Sequence, residues 1–352
     1  MVNANDKLFD GLVERQVNNL RLASGVNAKL QRDLSTIQRK LIEQINEFDL
    51  EGVAETAKSQ RLRELIRETN TLITNDYRSI NARNKREFTE LARMEAAGVE
   101  NLLQKSVGIE ITTTSVPAAQ INAIYSDALI QGAPSGEWWA DQARNLRQSF
   151  AREMRQGLLI GETNQQLVQR IRGTRAFGFN NGIFKKISRQ RAEALVRSSA
   201  LAVANEARFQ TFEANSDIIK SVRHSSVLDS RTSTICVVRD GKRWEMPSRE
   251  PIGHNLLLIV PPVHWNCRSV LISEVEGANL ADDATRSSVD GPVSAKTTFG
   301  DFLEGKSKKF QDELLGKGRA DLWRNGDITL RQLLDTKGNP LTLTALKEKL
   351  EA

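Results

Sequence analysis

The sequence predicts a mainly α-helical protein that carries a small β-rich module, an α+β chain. Three observations lead to this prediction. Long charged segments with helical periodicity fill the N-terminal half of the 352 residues. Between residues 218 and 275, turn residues and short β-type apolar runs replace that periodicity. Only 5% of the residues are aromatic and 27% are charged, which suits helices packed on each other or on a partner more than a large enzyme core.

An extended helical arm is predicted first. Within residues 6–48, apolar residues recur every three or four positions and form one stripe: Leu30, Leu34, Ile37, Leu41, Ile45 and Phe48. Gly25 is expected to separate two helical pieces, because glycine disfavours helix interiors. The stripe suits either an internal packing face or a coiled-coil arm that docks on a partner, and the sequence leaves both open.

A second, strongly charged helix is predicted over residues 55–105. Its basic group, Arg83, Lys85 and Arg86, is interpreted as a solvated helix face in preference to a nucleic-acid contact, because opposite charges surround it.

A helical middle follows, between residues 118 and 212. One of the adjacent Trp138 and Trp139 should pack in the core and the other lie at its edge, because neighbours on a helix face different directions. Thr163 is predicted to cap a helix, with Gln166 as its partner in a capping box.

The rare residues of the chain are concentrated in residues 228–268. Both cysteines, Cys236 and Cys267, lie there with two of the three histidines. Asp240-Gly241 stands between two short apolar runs, which is the usual signal of a β-hairpin. The apolar run at 270–272 predicts a further strand, placed near that hairpin.

This pattern resembles the phage Mu F-like head-morphogenesis family, the minor head proteins of tailed bacteriophages. The family's signature runs from an Asp, through a Thr-containing turn and a Cys, to an Asp-Gly turn, and ends in a P-P-x-H-x-N-C-R box. The corresponding residues here are Asp229, Arg231, Thr232, Cys236, Asp240-Gly241 and Pro261-Pro262-Val263-His264-Trp265-Asn266-Cys267-Arg268. The resemblance covers about residues 135–275. Arg239 and Ser269 stand where some relatives have further cysteines.

Four regions are predicted from these patterns. Residues 1–116 form the helical arm region, and residues 117–275 form the head-morphogenesis domain, with its β-rich module at 218–275. Residues 276–298, rich in Gly, Ala, Ser and Asp, are expected to be a linker. Residues 299–352 contain short amphipathic helices and are interpreted as a docking region.

Three interpretations stay open for Cys236, His264 and Cys267. The first is a structural zinc site, because His264 and Cys267 form an H-x-x-C half-site that Cys236 could join. Its fourth ligand would be one of three nearby side chains: Asp229, His224 or His254. The second is a disulfide between the two cysteines, and the third is a pair of buried, reduced thiols with His264 hydrogen-bonded in the core.

No enzymatic activity is expected. A cysteine nucleophile needs an exposed thiolate, a base and an oxyanion hole, and no Gly-rich segment flanks either cysteine. The sequence contains neither a phosphate-binding loop nor an H-E-x-x-H motif. A Cys-dependent hydrolase is kept only as a third hypothesis.

The charge balance permits contact with DNA without predicting it. Lys and Arg number 50 against 44 Asp and Glu, a net charge of +6, and the two signs are interspersed. Two cysteines suit a reducing compartment. The N-terminus shows no secretory pattern, and no apolar run is long enough to span a bilayer, so synthesis in the host cytoplasm is expected.

The resemblance implies a minor structural protein of a tailed-phage head. Such a protein would associate with the portal inside the procapsid, with scaffold or major capsid protein as further partners, and would aid head assembly or DNA delivery. It would reside in the virion and meet no membrane during assembly. The alternative is a DNA-binding ejection protein whose basic helices contact the packaged genome.

Overall fold

The computed structural model describes residues 3–48, 55–107, 112–275, 280 and 284–351, and only the backbone at 55–56 and 186–188. Helices dominate it, and the strands are short and antiparallel. The predicted class, mainly α with a small β-rich module, is therefore confirmed. Among the described helices, none combines the length and the apolar character that a membrane span requires.

The chain divides into two compact units, each built from segments that are distant in sequence. The first unit comprises Met1–Asn19, Leu91–Ile124 and Leu201–Ala352, and the second comprises Leu20–Glu90 and Tyr125–Ala200. The four regions predicted from the sequence are, by contrast, continuous segments of the chain. The arm region thus contributes to both units.

Two long helices, α1 (Ala4–Phe48) and α2 (Glu55–Val107), supply residues to both units. The break predicted at Gly25 is wrong, because α1 is continuous through it. Gly25 is exposed and the space beside its Cα is open. A glycine costs a helix only about 1 kcal/mol, which the apolar stripe on either side offsets.

Within the second unit, α1 and α2 run antiparallel. Three ion pairs show this, because residue numbers rise along one helix as they fall along the other: Lys29–Glu87 at 2.7 Å, Asp33–Arg83, and Lys40–Asp76 at 3.0 Å. Five members of the predicted stripe are at most 1% exposed: Leu30, Leu34, Ile37, Leu41 and Ile45. The stripe is thus an internal packing face of this unit.

Shorter helices complete the second unit. They are α4 (Ser135–Leu159), α5 (Asn164–Arg172), a 3₁₀ turn (Arg175–Phe177), a π-helical segment (Phe184–Arg189) and the start of α6 (Gln190–Ala214). A helix α3 (Ala118–Asp127) and two strands, β1 (Leu129–Ile130) and β2 (Ala133–Pro134), precede them.

Local predictions in this unit are confirmed. Trp139 is 2% exposed with its ring 6.2 Å from that of Tyr77, whereas Trp138 is half-buried and donates to the carbonyl of Ile130. Thr163 and Gln166 form the complete capping box at the start of α5.

A four-stranded antiparallel sheet lies in the first unit, with strand order β5-β4-β3-β6. Its strands are β3 (Ile219–Ser225), β4 (Arg243–Glu245), β5 (Pro251–Ile252) and β6 (Val270–Val275). The strand expected at 270–272 is confirmed, and it pairs with β3 along six registered positions. Apolar side chains from the sheet pack into one core with both ends of the chain: Leu8, Val222, Trp244, Leu271, Phe299 and Leu346.

The hairpin predicted around Asp240-Gly241 is wrong. Residues Thr234–Arg239 form a short helix, α7, whose first turn is capped by the hydroxyl of Ser233. The helix buries Val237 and Val238 in the core. Asp240-Gly241 does form a turn, but the turn joins α7 to β4, which pairs with β3.

The segment expected to be a linker contains a β-hairpin. It is formed by β7 (Thr285–Ser288) and β8 (Gly291–Ser294). The tail follows with α8 (Phe299–Glu304), α9 (Lys308–Leu315), α10 (Lys317–Arg324), a 3₁₀ turn (Leu330–Leu333) and α11 (Leu343–Glu351).

A buried ion pair fastens this hairpin to the sheet region. The guanidinium of Arg286 donates to both carboxylate oxygens of Asp240, at 2.9 and 3.0 Å, and to the carbonyls of Ser226 and Thr297. The Asp240 side chain is fully buried, and it also accepts from the backbone N–H groups of Ser226 and Phe299. One carboxylate therefore joins the segment directly after β3, the hairpin and α8.

We predict that Asp240→Ala lowers the free energy of unfolding by about 3–5 kcal/mol, because it leaves the Arg286 charge buried and unpaired. Denaturant titration would measure the loss. Asp290→Asn is the matched control in the same hairpin. Asp290 is paired with Lys306 at the surface and is 61% exposed, so its loss should cost at most about 1 kcal/mol. Equal effects of the two substitutions would contradict the role assigned to Asp240.

Candidate functional site

A tight turn presents two of the predicted metal ligands on one side. The backbone N–H of Cys267 donates to the carbonyl of His264 at 3.2 Å and closes the turn. Asn266 has φ of 57°, at the position where a type II turn requires a left-handed residue. Asparagine tolerates that conformation better than other non-glycine residues. The left-handed conformation of Asn266 therefore allows the turn that brings His264 and Cys267 of the H-x-x-C sequence to the same side.

Cys236 reaches the same place from α7. It lies in the first turn of the helix, where its N–H donates to the Ser233 hydroxyl, and its carbonyl accepts from the Ser226 hydroxyl at 3.0 Å. Val263 and Leu201 pack against the two cysteines. The thiol position is thus fixed by a helix cap and by the surrounding apolar side chains.

The structure brings three of the four predicted ligands together. The Sγ atoms of Cys236 and Cys267 are 3.7 Å apart, and Nε2 of His264 is 3.2 Å from Sγ of Cys236. All three potential ligand atoms lie within 4.8 Å of one another. Both cysteines are free and buried, at 1% and 3% exposure, and His264 is half-buried.

The protonation of this cluster is strongly perturbed. The hydrogen bond from the Cys236 thiol lowers the pKa of Cys267 well below its usual range, and His264 acts in the same direction. The hydrogen bond to Cys267, together with burial, raises the pKa of Cys236. Burial opposes protonation of His264, but Cys267 outweighs it and the pKa of His264 is raised. The two thiols therefore do not titrate independently of each other.

Asp229, the fourth predicted ligand, has a different partner. Both of its carboxylate oxygens accept from the guanidinium of Arg268 at 2.7 Å, and one also accepts from the backbone N–H of Arg231. Asp229 is not in the cluster of potential ligands found among the described residues. Its carboxylate holds the residue that follows Cys267 in place.

The other two histidines also lie outside the cluster. His254 is edge-on to the ring of Trp244, and its Nε2 contacts the carbonyl of Arg243 at 2.8 Å. His224 is fully buried on β3, and neither ring nitrogen has a hydrogen-bond partner. Burial lowers the pKa of His224 to about 4, so the ring is neutral at pH 7.

The geometry separates two kinds of chemistry. Cys236 and His264 lie within hydrogen-bond distance, as a nucleophile and its base would. Both sulfurs are almost fully buried, however, so a substrate carbonyl has no access to them. A metal ion is small enough to enter between the three side chains, and its ligands are normally buried in this way.

Two residues that shape the site were not identified from the sequence: Ser233 and Asn266. Ser233 precedes Cys236 by three positions, the spacing of a helix cap and its N–H partner, but the β-branched residues after it favoured a strand. Asn266 belonged to the family-like box, although its left-handed conformation was not predicted.

We predict that the Asp229–Arg268 pair contributes stability that is lost in acid. Burial opposes ionisation of Asp229, but the hydrogen bonds and charge of Arg268 outweigh it and lower the pKa of Asp229 from 3.8 to about 2. A carboxyl with a lowered folded-state pKa stabilises above its unfolded pKa and ceases to do so as pH falls.

The contribution should be complete above pH 3.8 and disappear as pH falls towards about 2. Its size is about 1 kcal/mol, because Arg268 reaches solvent and the pair is partly screened. Asp229→Asn should therefore flatten the pH dependence of the unfolding free energy in this window. An unchanged slope would contradict the assignment.

Comparison with known proteins agrees with these residues. No curated protein and no solved structure gave a match to the chain. A family model did give one, and the matched segment begins inside α4, ends inside β6 and contains Asp229, Cys236 and the whole P-P-x-H-x-N-C-R box. The predicted resemblance is thereby confirmed: residues 148–272 match the family described as Phage Mu protein F like protein.

Proposed function

We propose that this protein is a minor structural component of a tailed-phage head that associates with the portal inside the procapsid. The observation that carries the proposal is the match of residues 148–272, since the Phage Mu F-like family suggests a phage head-morphogenesis protein and a place in the virion. The portal is the proposed main partner, and scaffold or major capsid protein are proposed as further partners. The protein would aid head assembly or DNA delivery.

The proposed mechanism is binding rather than catalysis. Cys236 and His264 lie within hydrogen-bond distance, as a nucleophile and its base would. The thiols of Cys236 and its neighbour Cys267 are, however, at most 3% exposed. A protein that acts by docking needs exposed apolar side chains instead. Their presence in the second unit supports a docking role.

These side chains are concentrated in a short stretch. Among the described residues of the second unit, four of the five large exposed apolar side chains lie between positions 159 and 179: Leu159, Ile160, Phe177 and Phe179. Leu159 is 86% exposed although it ends the amphipathic helix α4. We take this stretch as the surface that meets the portal.

We predict that the full chain co-purifies with the portal protein of the same phage. Leu159→Ser combined with Ile160→Ser should weaken the association at least about tenfold, because the complex would lose two apolar side chains that it buries against the portal. Leu257→Ser is the matched control, because Leu257 is 74% exposed in the other unit. Absence of any association with portal or procapsid would overturn the proposed function. Equal weakening by both variants would overturn only the docking surface.

A second candidate function, a DNA-binding ejection protein, is favoured by the distribution of charge. Between Arg144 and Arg197 the chain has twelve Lys or Arg and three Asp or Glu, a surplus of nine, whereas the whole chain has a surplus of six. Within that segment, Arg172 lies over the ring of Phe179 at 4.7 Å, next to the exposed Phe177. Basic and aromatic side chains together suit nucleic-acid backbones and bases.

DNA affinity that falls steeply with salt would support this candidate. Arg175→Ala combined with Lys185→Ala should reduce the slope of log affinity against log salt by about 1–2, as the loss of one or two phosphate contacts predicts. Both side chains are exposed. Lys308→Ala with Lys309→Ala, also exposed but outside the basic segment, should leave the slope unchanged. Binding without salt dependence would exclude the candidate.

A further inference from the structure

We propose that Cys236, His264 and Cys267 bind one Zn²⁺ ion, with a water molecule as the fourth ligand. Two sulfur atoms and one imidazole nitrogen form the donor set that zinc prefers among the common divalent metals of proteins. This inference is independent of the proposed head-protein function, because it concerns the stability of the first unit and not its partner.

The distances within the cluster match a tetrahedral site. With zinc–sulfur bonds of about 2.3 Å, two thiolates of a tetrahedron lie about 3.8 Å apart. The observed separation of the Cys236 and Cys267 sulfurs is 3.7 Å. A sulfur and a nitrogen ligand should lie about 3.5 Å apart. Nε2 of His264 is 3.2 Å from Sγ of Cys236 and within 4.8 Å of Sγ of Cys267, so rotation of the ring would bring the nitrogen to a ligand's distance from both sulfurs.

The orientation of His264 is the arrangement expected of a ligand. Its Nδ1 lies 2.9 Å from the carbonyl of Trp265, which can only accept a hydrogen bond. Nδ1 therefore carries the proton, and in the neutral ring Nε2 presents its lone pair towards the sulfurs. Metal-binding histidines are usually held in this manner, with the second nitrogen donating to a backbone carbonyl or a carboxylate.

The proposed fourth ligand is water, because no further protein ligand is at hand in the described part of the chain. Among the described residues, no fourth His, Cys, Asp or Glu joins the cluster, and the Asp229 carboxylate is occupied by Arg268. His264 is half-buried, so its side of the cluster faces the surface. A water molecule can enter from that side and complete the tetrahedron.

Binding would cross-link two elements that now meet through weak sulfur hydrogen bonds and packing. Cys236 belongs to α7, and His264 and Cys267 belong to the turn before β6. Zinc binds the deprotonated forms of these ligands, so any proton that Cys236, Cys267 or Nε2 of His264 carries is released to solvent on binding, and the two thiolates balance the charge of the ion. The site would hold the box turn against α7 and stabilise the folded first unit.

The test is zinc content of the full-length protein, purified under reducing conditions and reconstituted with Zn²⁺. We expect about one zinc per chain in the unmodified protein and nearly none in Cys236→Ser or Cys267→Ser. The matched control His254→Asn should keep its zinc, because the His254 ring contacts a backbone carbonyl and lies outside the cluster. Circular dichroism would establish that each variant is folded.

Substitution with Co²⁺ gives a second readout that needs no variant. A tetrahedral site with two thiolates produces sulfur-to-cobalt charge-transfer bands and strong visible absorption, whereas cobalt bound at the surface is octahedral and nearly colourless.

A folded protein that binds no zinc after reconstitution would overturn the proposal in favour of buried thiols. A mass lower by two hydrogen atoms, with no thiol available to alkylation after unfolding, would overturn it in favour of a disulfide. Loss of zinc in His254→Asn as well as in the cysteine variants would contradict the three-ligand set.

Discussion

The first unit depends on the neutralisation of buried carboxylates by arginines that lie far away in sequence. Arg286 holds Asp240 across 46 residues, and Arg208 holds Glu95 across 113, with both partners almost fully buried. Removing such charges from water costs several kcal/mol unless each meets its partner. These pairs therefore set a condition for folding. The first unit can fold without leaving a buried charge unpaired only when helix α2, helix α6, the sheet and the β7–β8 hairpin are all in place.

This requirement makes the family-matched segment incomplete as a folding unit. Residues 148–272 begin in the middle of α4 and end within β6. The arginine that neutralises Asp240 follows at position 286. Asn5, at the start of α1, bonds the backbone of Val275 at the end of β6: its amide nitrogen donates to the carbonyl, and its amide oxygen accepts from the N–H. Removing the arm or the tail would expose buried charges and unpaired backbone. Point substitutions are therefore the informative way to examine binding.

Signals confined to a few neighbouring residues were predictable from the sequence. The capping box at Thr163 and the helical stripes are of this kind, because the stabilising contacts fall within one or two helical turns. Residues Thr234–Arg239 were not, since their β-branched side chains favour a strand and only the Ser233 cap and the burial of Val237 and Val238 select a helix. The position of Asp240 suggested only a turn, because its essential partner is 46 residues away. Three of the four candidate ligands named from the sequence lie together, and Asp229 could not be separated from the cysteines until its pairing with Arg268 was visible.

The cluster of Cys236, His264 and Cys267 is shaped by the protein before any ligand arrives. The cap at Ser233 fixes the first cysteine, the left-handed Asn266 fixes the second, and the carbonyl of Trp265 fixes the imidazole ring. Each of these constraints is already satisfied in the folded chain, so the entropic cost of ordering the three side chains falls on folding and would not fall on binding. Both sulfurs are almost fully buried, and they lie 3.7 Å apart, close to the spacing of two thiolates in a tetrahedral metal site. Burial and the three local constraints therefore act together: they enclose the donor atoms and keep them close to one another, which is the arrangement that the proposed zinc site requires.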